Sequence, residues 1–176
     1  MEGTRELKTK RLILRRYRME DAKELYEKFG SDPEMYRYSG WNPYASVQMA
    51  EETVREFIGN YEHTYFYGWA VEYQGELIGT IGAYDYYTEK DQIETGYSIA
   101  RNFWGNGFAT EALTCVLRYL TEQEGIHTVT AWCASENTGS MKAMLKAGMK
   151  LVKAEKNGLE AEGNTYDKLY FAYHAE

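Results

Sequence analysis

The stretch "FWGNGFATEALTCVLRYL", residues 103–120, sets Gly105 and Gly107 on either side of Asn106, immediately before a run with helical spacing. Glycine loses more backbone freedom on folding than any other residue, so a close pair marks a conformation or an approach that side chains hinder. A plain turn would satisfy this. So would an anion cradle. The first turn of a helix offers amides without carbonyl partners and the positive end of the dipole, and a pyrophosphate can lie there if no Cβ intervenes. G-x-G alone does not choose between the two. The P-loop is excluded, since no Gly-Lys-Ser/Thr follows. The dinucleotide fingerprint fits poorly, because a third glycine is missing and an antiparallel series precedes the turn.

Other reactive residue types are sparse. His63, His127 and His174 are scattered and show no metal-ligand spacing or nucleophile partner, so no metal site and no Ser-His mechanism is expected. Cys115 lies in the helical pattern and Cys133 in an apolar strand-like run. Their spacing fits neither a zinc nor a redox motif, and both read as small buried residues. The net charge of −7, with no dense Lys/Arg run, makes a poor nucleic-acid binder, because phosphate neutralisation needs a cationic footprint. An acidic cleft could attract an amine or a basic peptide, or the charge could serve solubility alone.

These residues need elements to position them. At 176 residues the chain reads as one domain, 1–176, with a sizeable core. Its 44% hydrophobic and 27% charged residues argue against disorder. The opening "MEGTRELKTK" lacks the apolar core of a signal peptide, and no apolar run reaches the roughly 18 residues of a membrane span. The chain reads as cytoplasmic, without a membrane partner.

"RLILRRYR", Arg11–Arg18, reads as a strand and "MEDAKELYEKFG" as a helix ending at Gly30. "SDPEMYRYSGWNPY" is a polar and aromatic loop or a short irregular helix. "SVQMAEETVREFIG" is a second helix, with Ser46 as cap, an apolar side of Val47, Ala50, Val54, Phe57 and Ile58, and Gly59 as stop. "YGWAVEY" and "ELIGTIGAY" flank the hairpin signal Gln74-Gly75, and "QIETGYSIA" follows the polar loop "DYYTEKD". After the glycines, Phe108, Ala109, Ala112, Leu113, Val116, Leu117 and Leu120 share one helix face, with Gly125 as a stop. "HTVTAWC" is a strand, "TGSMKAMLKAG" a helix, and "MKLVKAEK" and "YDKLYFAY" two terminal strands, with "EGN" turning into the last. The order β, α, α, β, β, β, α, β, α, β, β predicts an α/β (α+β) fold, a mixed and mostly antiparallel sheet with helices on its faces. Residues 93–133 should form a right-handed crossover if their strands are parallel neighbours.

Several ordered segments resemble the GCN5-related N-acetyltransferases. "FWGNGFATEAL" is similar to their acyl-CoA-binding Q/R-x-x-G-x-G/A turn, with Trp104, Gly105, Asn106, Gly107, Phe108 and Ala109 in the six positions. Trp104 departs from Gln or Arg, and Thr110, Glu111 and Ala112 match the W-G-x-G-x-x-T-E-A of the ribosomal-protein N-terminal acetyltransferase branch. "LKTKRLILRRYRMEDAKEL", "WAVEYQGELIGTIGAY" and "IETGYSIARNFWGNG" look like that branch's N-terminal signature, hairpin and central strand. "ENTGSMKAMLKAGM" resembles N-x-x-S-x-x-x-x-x-K-x-G-F, matched by Asn137, Ser140, Lys146 and Gly148, with Met149 replacing Phe. The resemblance covers nearly the whole chain, its motif-bearing core running over about 10–174. It implies strands that splay apart at a CoA cleft, acetyl-CoA as cosubstrate, and no metal. A homodimer is a frequent assembly in such relatives, though nothing in the sequence fixes the oligomeric state.

The chemistry so implied is direct attack of a neutral amine on a thioester, which needs a base or water chain, donors for the developing oxyanion and a proton or hydrogen bond for the leaving thiolate. Glu94 is the base candidate by its place before the glycine turn, with a solvated carboxylate as the plain alternative. Ser140 is the hydroxyl candidate near sulfur, with helix capping as its alternative. Many relatives use a tyrosine acid where this chain has Met144, which cannot donate a proton. Asn137 would bond a backbone group or the pantetheine arm. Tyr97, Ser98 and Ile99 would offer main-chain groups to pantetheine, with the Ile99 amide as oxyanion donor. Lys146 would approach the adenine-nucleotide end, or stand exposed. Tyr36, Tyr38, Trp41 and Tyr44 cluster in the early loop and could shape an amine pocket or simply cover the sheet, and Glu34, Glu51 and Glu52 could attract a cationic acceptor or stand as a solvated face. The acceptor stays open between a protein N-terminus and small amines. A non-catalytic acyl-CoA sensor and an interaction protein with an empty cleft are the rival readings.

Overall fold

The computed structural model describes residues 1–176. In chain order it contains β1 (Leu7–Lys8), β2 (Leu12–Arg15), α1 (Asp21–Leu25), α2 (Val47–Asn60), β3 (Tyr67–Tyr73), β4 (Glu76–Tyr87) and β5 (Gln92–Ile99). There follow α3 (Phe108–Arg118), β6 (Thr128–Ala134), α4 (Thr138–Lys146), β7 (Lys150–Ala161) and β8 (Asn164–His174). Eight strands form one sheet in the order β1-β2-β3-β4-β5-β6-β8-β7. Every neighbouring pair is antiparallel except β5 and β6, which are parallel and joined through α3. No helix is long and apolar enough to cross a membrane.

Local sequence explains most of these elements. Ser46 caps α2, its hydroxyl accepting the Met49 amide at 3.1 Å. Gln74 and Gly75 both take positive φ, as a two-residue hairpin turn requires. Glu162 and Gly163 do the same between β7 and β8. One layer of the core joins α3 and α4 to the sheet through Leu113, Val116, Leu117, Met144, Ile93 and Phe171. The other packs α1 and α2 against β3 and β4 through Leu25, Val54, Ala70 and Leu77. That second helix layer leaves the same face of β6, β8 and β7 without a helical cover.

Four expectations need correction. The strand read over Arg11–Arg18 is only Leu12–Arg15, and a short β1 precedes it. Much of the loop "DYYTEKD" belongs to β4, which runs to Tyr87 across a register shift at Asp85, whose φ is 56°. Gly59 does not stop α2: the helix continues through Asn60, and Ile58 is exposed rather than on the apolar side. Cys115 is half-buried; only Cys133 is fully buried.

Arg15, the last residue of β2, is buried. Its guanidinium forks onto the Asp21 carboxylate at 2.8 and 2.9 Å and reaches Glu72 at 2.7 Å. The Arg18 amide also donates to Asp21, at 2.8 Å. This buried cluster ties β2 and β3 to the start of α1. Breaking one partner leaves the other charge uncompensated, so Asp21→Ala should cost about 3 kcal/mol. At this chain length that is a fall in Tm of roughly 6–12 °C by calorimetry. An unchanged Tm would contradict this account of the cluster.

Candidate active site

The site begins where two strands part. β5 and β6 pair at only three positions, Gln92↔Thr128, Ile93↔Val129 and Glu94↔Thr130. Beyond them β5 stays with β4 as far as Ile99, while β6 stays with β8 as far as Ala134. The phase of the β4–β5 ladder is set by the Ala100 amide, which donates to the Ile78 carbonyl at 2.8 Å. Main-chain groups alternate across an antiparallel ladder. The amide of Thr95 therefore closes the last bonded position with β6, those of Tyr97 and Ile99 point into the gap, and those of Gly96 and Ser98 point to β4. Ser98 thus departs from the expectation that its main chain faces the cleft.

At the open end of β5 the chain turns into α3. Gly105 and Gly107 both have φ of 78°, so each needs glycine for its conformation. Space is not the constraint at Gly105, where an added Cβ would meet nothing within 4 Å. No side chain caps α3, and its first amide with a carbonyl partner is that of Glu111, bonded to Gly107 at 3.0 Å. The amides from Gly105 to Thr110 have no partner within the protein. Trp104 donates from Nε1 to the Ile99 carbonyl at 2.6 Å, fixing the turn against the end of β5. Asn106 bonds the Phe103 and Trp104 carbonyls, and Phe108 is buried below, with Ala109 and Thr110 half-buried beside it.

Arg11 braces this turn, a role that its place in a basic strand pattern does not suggest. It donates to the Asn106 carbonyl at 2.9 Å and to Glu111 at 2.7 Å, and it lies over the Phe108 ring at 4.3 Å. Burial raises the proton affinity of Glu111, but bonds from Thr9 and Arg11 outweigh it and hold the carboxyl below its usual range.

Across the gap stands α4. Asn137 is its N-cap and accepts the Ser140 amide at 3.3 Å. The Ser140 hydroxyl lies 2.9 Å from the Tyr97 hydroxyl, which is also 3.1 Å from the Ser140 carbonyl. Burial pushes the Tyr97 phenol up to about 12, more than the bond to Ser140 lowers it. The side chain of Tyr97, expected to offer only its backbone, thus meets Ser140. Met144 is buried in the core, and Lys146 is exposed at the end of α4.

Glu94 occupies the last paired position and points to the face without a helical cover. It accepts a hydrogen bond from Trp132 Nε1 at 3.0 Å. Tyr84, its partner on β4, leans over Gly96, and burial followed by the Glu94 charge raises its phenol. The early aromatic loop forms a wall. A Cβ at Gly30 would fall 1.5 Å from the Tyr44 carbonyl oxygen, so only glycine lets the loop close on α1. Tyr38 packs edge-on against Tyr166, with ring centroids 5.3 Å apart, and donates to the Glu136 carbonyl at 3.4 Å. Tyr36 is half-buried, Trp41 is 72% exposed, and Tyr44 belongs to the core. Glu34 pairs with Arg37 at 3.6 Å, and Glu51 and Glu52 stand exposed on α2. His127 and His174 meet at the ends of β6 and β8, 6.0 Å apart, far from forming a nucleophile pair with Ser140 on α4.

A family profile described as an acetyltransferase (GNAT) domain matches residues 11–150. The chain is 31% identical over 163 residues to the uncharacterised N-acetyltransferase YoaA of Bacillus subtilis, covering 92% of each. It superposes on a GNAT-family acetyltransferase from Bacillus anthracis with a TM-score of 0.83 at 24% identity, covering 97% of this chain and 98% of that one. It also superposes on RimL, a ribosomal L7/L12 alpha-N-protein acetyltransferase solved with coenzyme A, with a TM-score of 0.88 at 16% identity over 97% and 98% of the chains.

The buried phenol gives a pH test. Tyr97 keeps its proton to about 12 when folded, whereas an exposed tyrosine ionises near 10. Its contribution is complete below pH 10 and is lost as pH rises toward 12. Denaturant titrations across that window should show stability falling with pH, and Tyr97→Phe should remove roughly 1.4 kcal/mol per pH unit from the slope. Equal slopes would place the Tyr97 hydroxyl in water.

Proposed function

Because the chain belongs to the acetyltransferase (GNAT) family, we propose that it moves the acetyl group of acetyl-CoA to a primary amine by direct attack, with both reactants held at the parting of β5 and β6. One observation carries this reading: the unpartnered amides from Gly105 to Thr110 stand beside a strand whose Tyr97 and Ile99 amides face an open gap. A pyrophosphate suits the first feature, and an extended pantetheine arm suits the second. Acetyl-CoA supplies the acyl group, activated as a thioester.

The residues divide the work as follows. Glu94, held by Trp132, takes the amine proton directly or through water. The Ile99 amide donates to the oxygen on which charge develops. Ser140 donates to the departing sulfur. Tyr97 is a positioning residue for that hydroxyl. Its pKa of about 12 lies far above the roughly 8.5 of a thiol, so it keeps its own proton while bonded to Ser140. Asn137 sets the first turn of α4 and with it the height of Ser140. Trp104, Asn106, Phe108 and Ala109 shape the pyrophosphate turn, and Lys146 serves the nucleotide end. Tyr36, Tyr38 and Trp41 border the amine. The fold shared with RimL supports a protein N-terminus as one acceptor, beside small amines.

Calorimetric titration tests the cofactor, with NAD as control, and thiol release on adding amines tests the reaction. Saturable binding of acetyl-CoA and CoA but not NAD is expected. Absence of CoA binding by folded protein would overturn the reading. Gly105→Val should weaken acetyl-CoA about 30-fold or more, roughly 2 kcal/mol. The left-handed backbone would cost folding about 1–2 kcal/mol. Ser140→Ala should lower kcat by about 100-fold, the lower end of the range for a positioned proton donor. Tyr97→Phe should lower kcat in part while sparing the KM for acetyl-CoA, and should add nothing in the Ser140→Ala background. Additive losses would detach Tyr97 from Ser140.

A further inference from the structure

The face of β6, β8 and β7 left without helices carries an ammonium that pairs with no carboxylate within 4.0 Å. Lys168 on β8 lies 4.5 Å from the Trp132 ring centroid and 5.0 Å from that of Tyr170, and it forms no ion pair within 4.0 Å. Glu155 stands opposite it across the β7–β8 ladder, but that carboxylate accepts the Tyr170 hydroxyl at 3.0 Å and lies 3.7 Å from Lys153. The same Trp132 indole that supports Lys168 donates to Glu94 at 3.0 Å. One flat ring therefore separates the carboxylate at the strand parting from an unspent cation. Tyr38 packs beyond, against Tyr166 on the same strand as Lys168.

We propose that the amine acceptor also carries a carboxylate, which Lys168 binds while Trp132 supports the atoms between the two groups. This rests on the acetyltransferase reading, in which the reacting amine sits at Glu94. Charge complementarity then runs in both directions, since a cation placed along the acceptor's path repels polyamines and attracts an anion. An ammonium resting on aromatic faces keeps its stem ordered and its charge available, so little ordering remains when the carboxylate arrives. The acceptor must span about the length of an indole between its amine and its carboxylate. Either a small amino-carboxylate or a protein N-terminus with a nearby acidic side chain meets that requirement.

The test compares probes that differ only in the anion, using wild-type protein and saturating acetyl-CoA. Glycylglycine is set against glycylglycinamide, and the peptide Ala-Glu-Ala-amide against Ala-Gln-Ala-amide. At least one carboxylate probe should show kcat/KM about tenfold above its amide. A preference in the first pair identifies small amino-carboxylates, and one in the second identifies acidic N-termini. Lys168→Gln should bring the ratio close to one, and Lys168→Glu should invert it. A ratio within one variant does not depend on how much of that variant is folded. Equal rates for both pairs in wild type, no turnover of either carboxylate probe by protein that binds acetyl-CoA, or a ratio that survives Lys168→Gln would each overturn the proposal and leave the acetyltransferase reading standing. Failure to bind acetyl-CoA at all would overturn both.

Discussion

A parallel strand pair that stops after three positions governs the rest of this molecule. Parallel pairing ordinarily continues until the strands end, because main-chain groups left unpaired in a protein interior are costly. Here β5 and β6 both continue, each held from its other side, and the amides of Tyr97 and Ile99 face a space between them. A gap of this kind persists only if the flanking elements hold it open. On one side the Arg11–Glu111 brace and the Trp104 bond to Ile99 fix the glycine turn. On the other, α4 stands on β6 with Asn137 at its cap, and Tyr97 reaches across to Ser140.

The same parting connects the two faces of the sheet. Odd-numbered residues of β5 beyond Glu94 look toward α3 and α4, where Tyr97 meets Ser140. Glu94 looks the other way, to Trp132 and the bare face. A thioester held in the gap can therefore be reached from the opposite face. In the proposed reaction that arrangement would keep the leaving sulfur and the entering amine apart, with Ser140 on one face and Glu94 on the other. The Arg15–Asp21–Glu72 cluster and the close fit of Gly30 under Tyr44 secure the start of α1 and the early aromatic loop.

The legible part of this design was local. The G-x-G turn, the amphipathic run after it, Ser46 and the Gln74-Gly75 hairpin all act through neighbours a few residues away, so their spacing carries the information. The ordered motifs extended that to the family and to the splayed strands. What the sequence hid depends on strand order and on side-chain direction. Trp132 and Lys168 lie far apart in the chain, and only the insertion of β8 between β6 and β7 brings them together. Arg11 looked like one more basic residue in a strand. Ser98 is adjacent to Tyr97 and Ile99, but a ladder alternates, and its phase is set by the Ala100–Ile78 bond. Gly59 resembles a helix stop but does not take a positive φ, and α2 runs through it to Asn60.

The most direct test of the account is amide hydrogen exchange read residue by residue, with and without acetyl-CoA. The ligand should protect the amides of Tyr97 and Ile99 and those from Gly105 to Thr110, while Gly96 and Ser98, already bonded to β4, change little. Tight binding that leaves these amides unprotected, or protects a different surface, would contradict it.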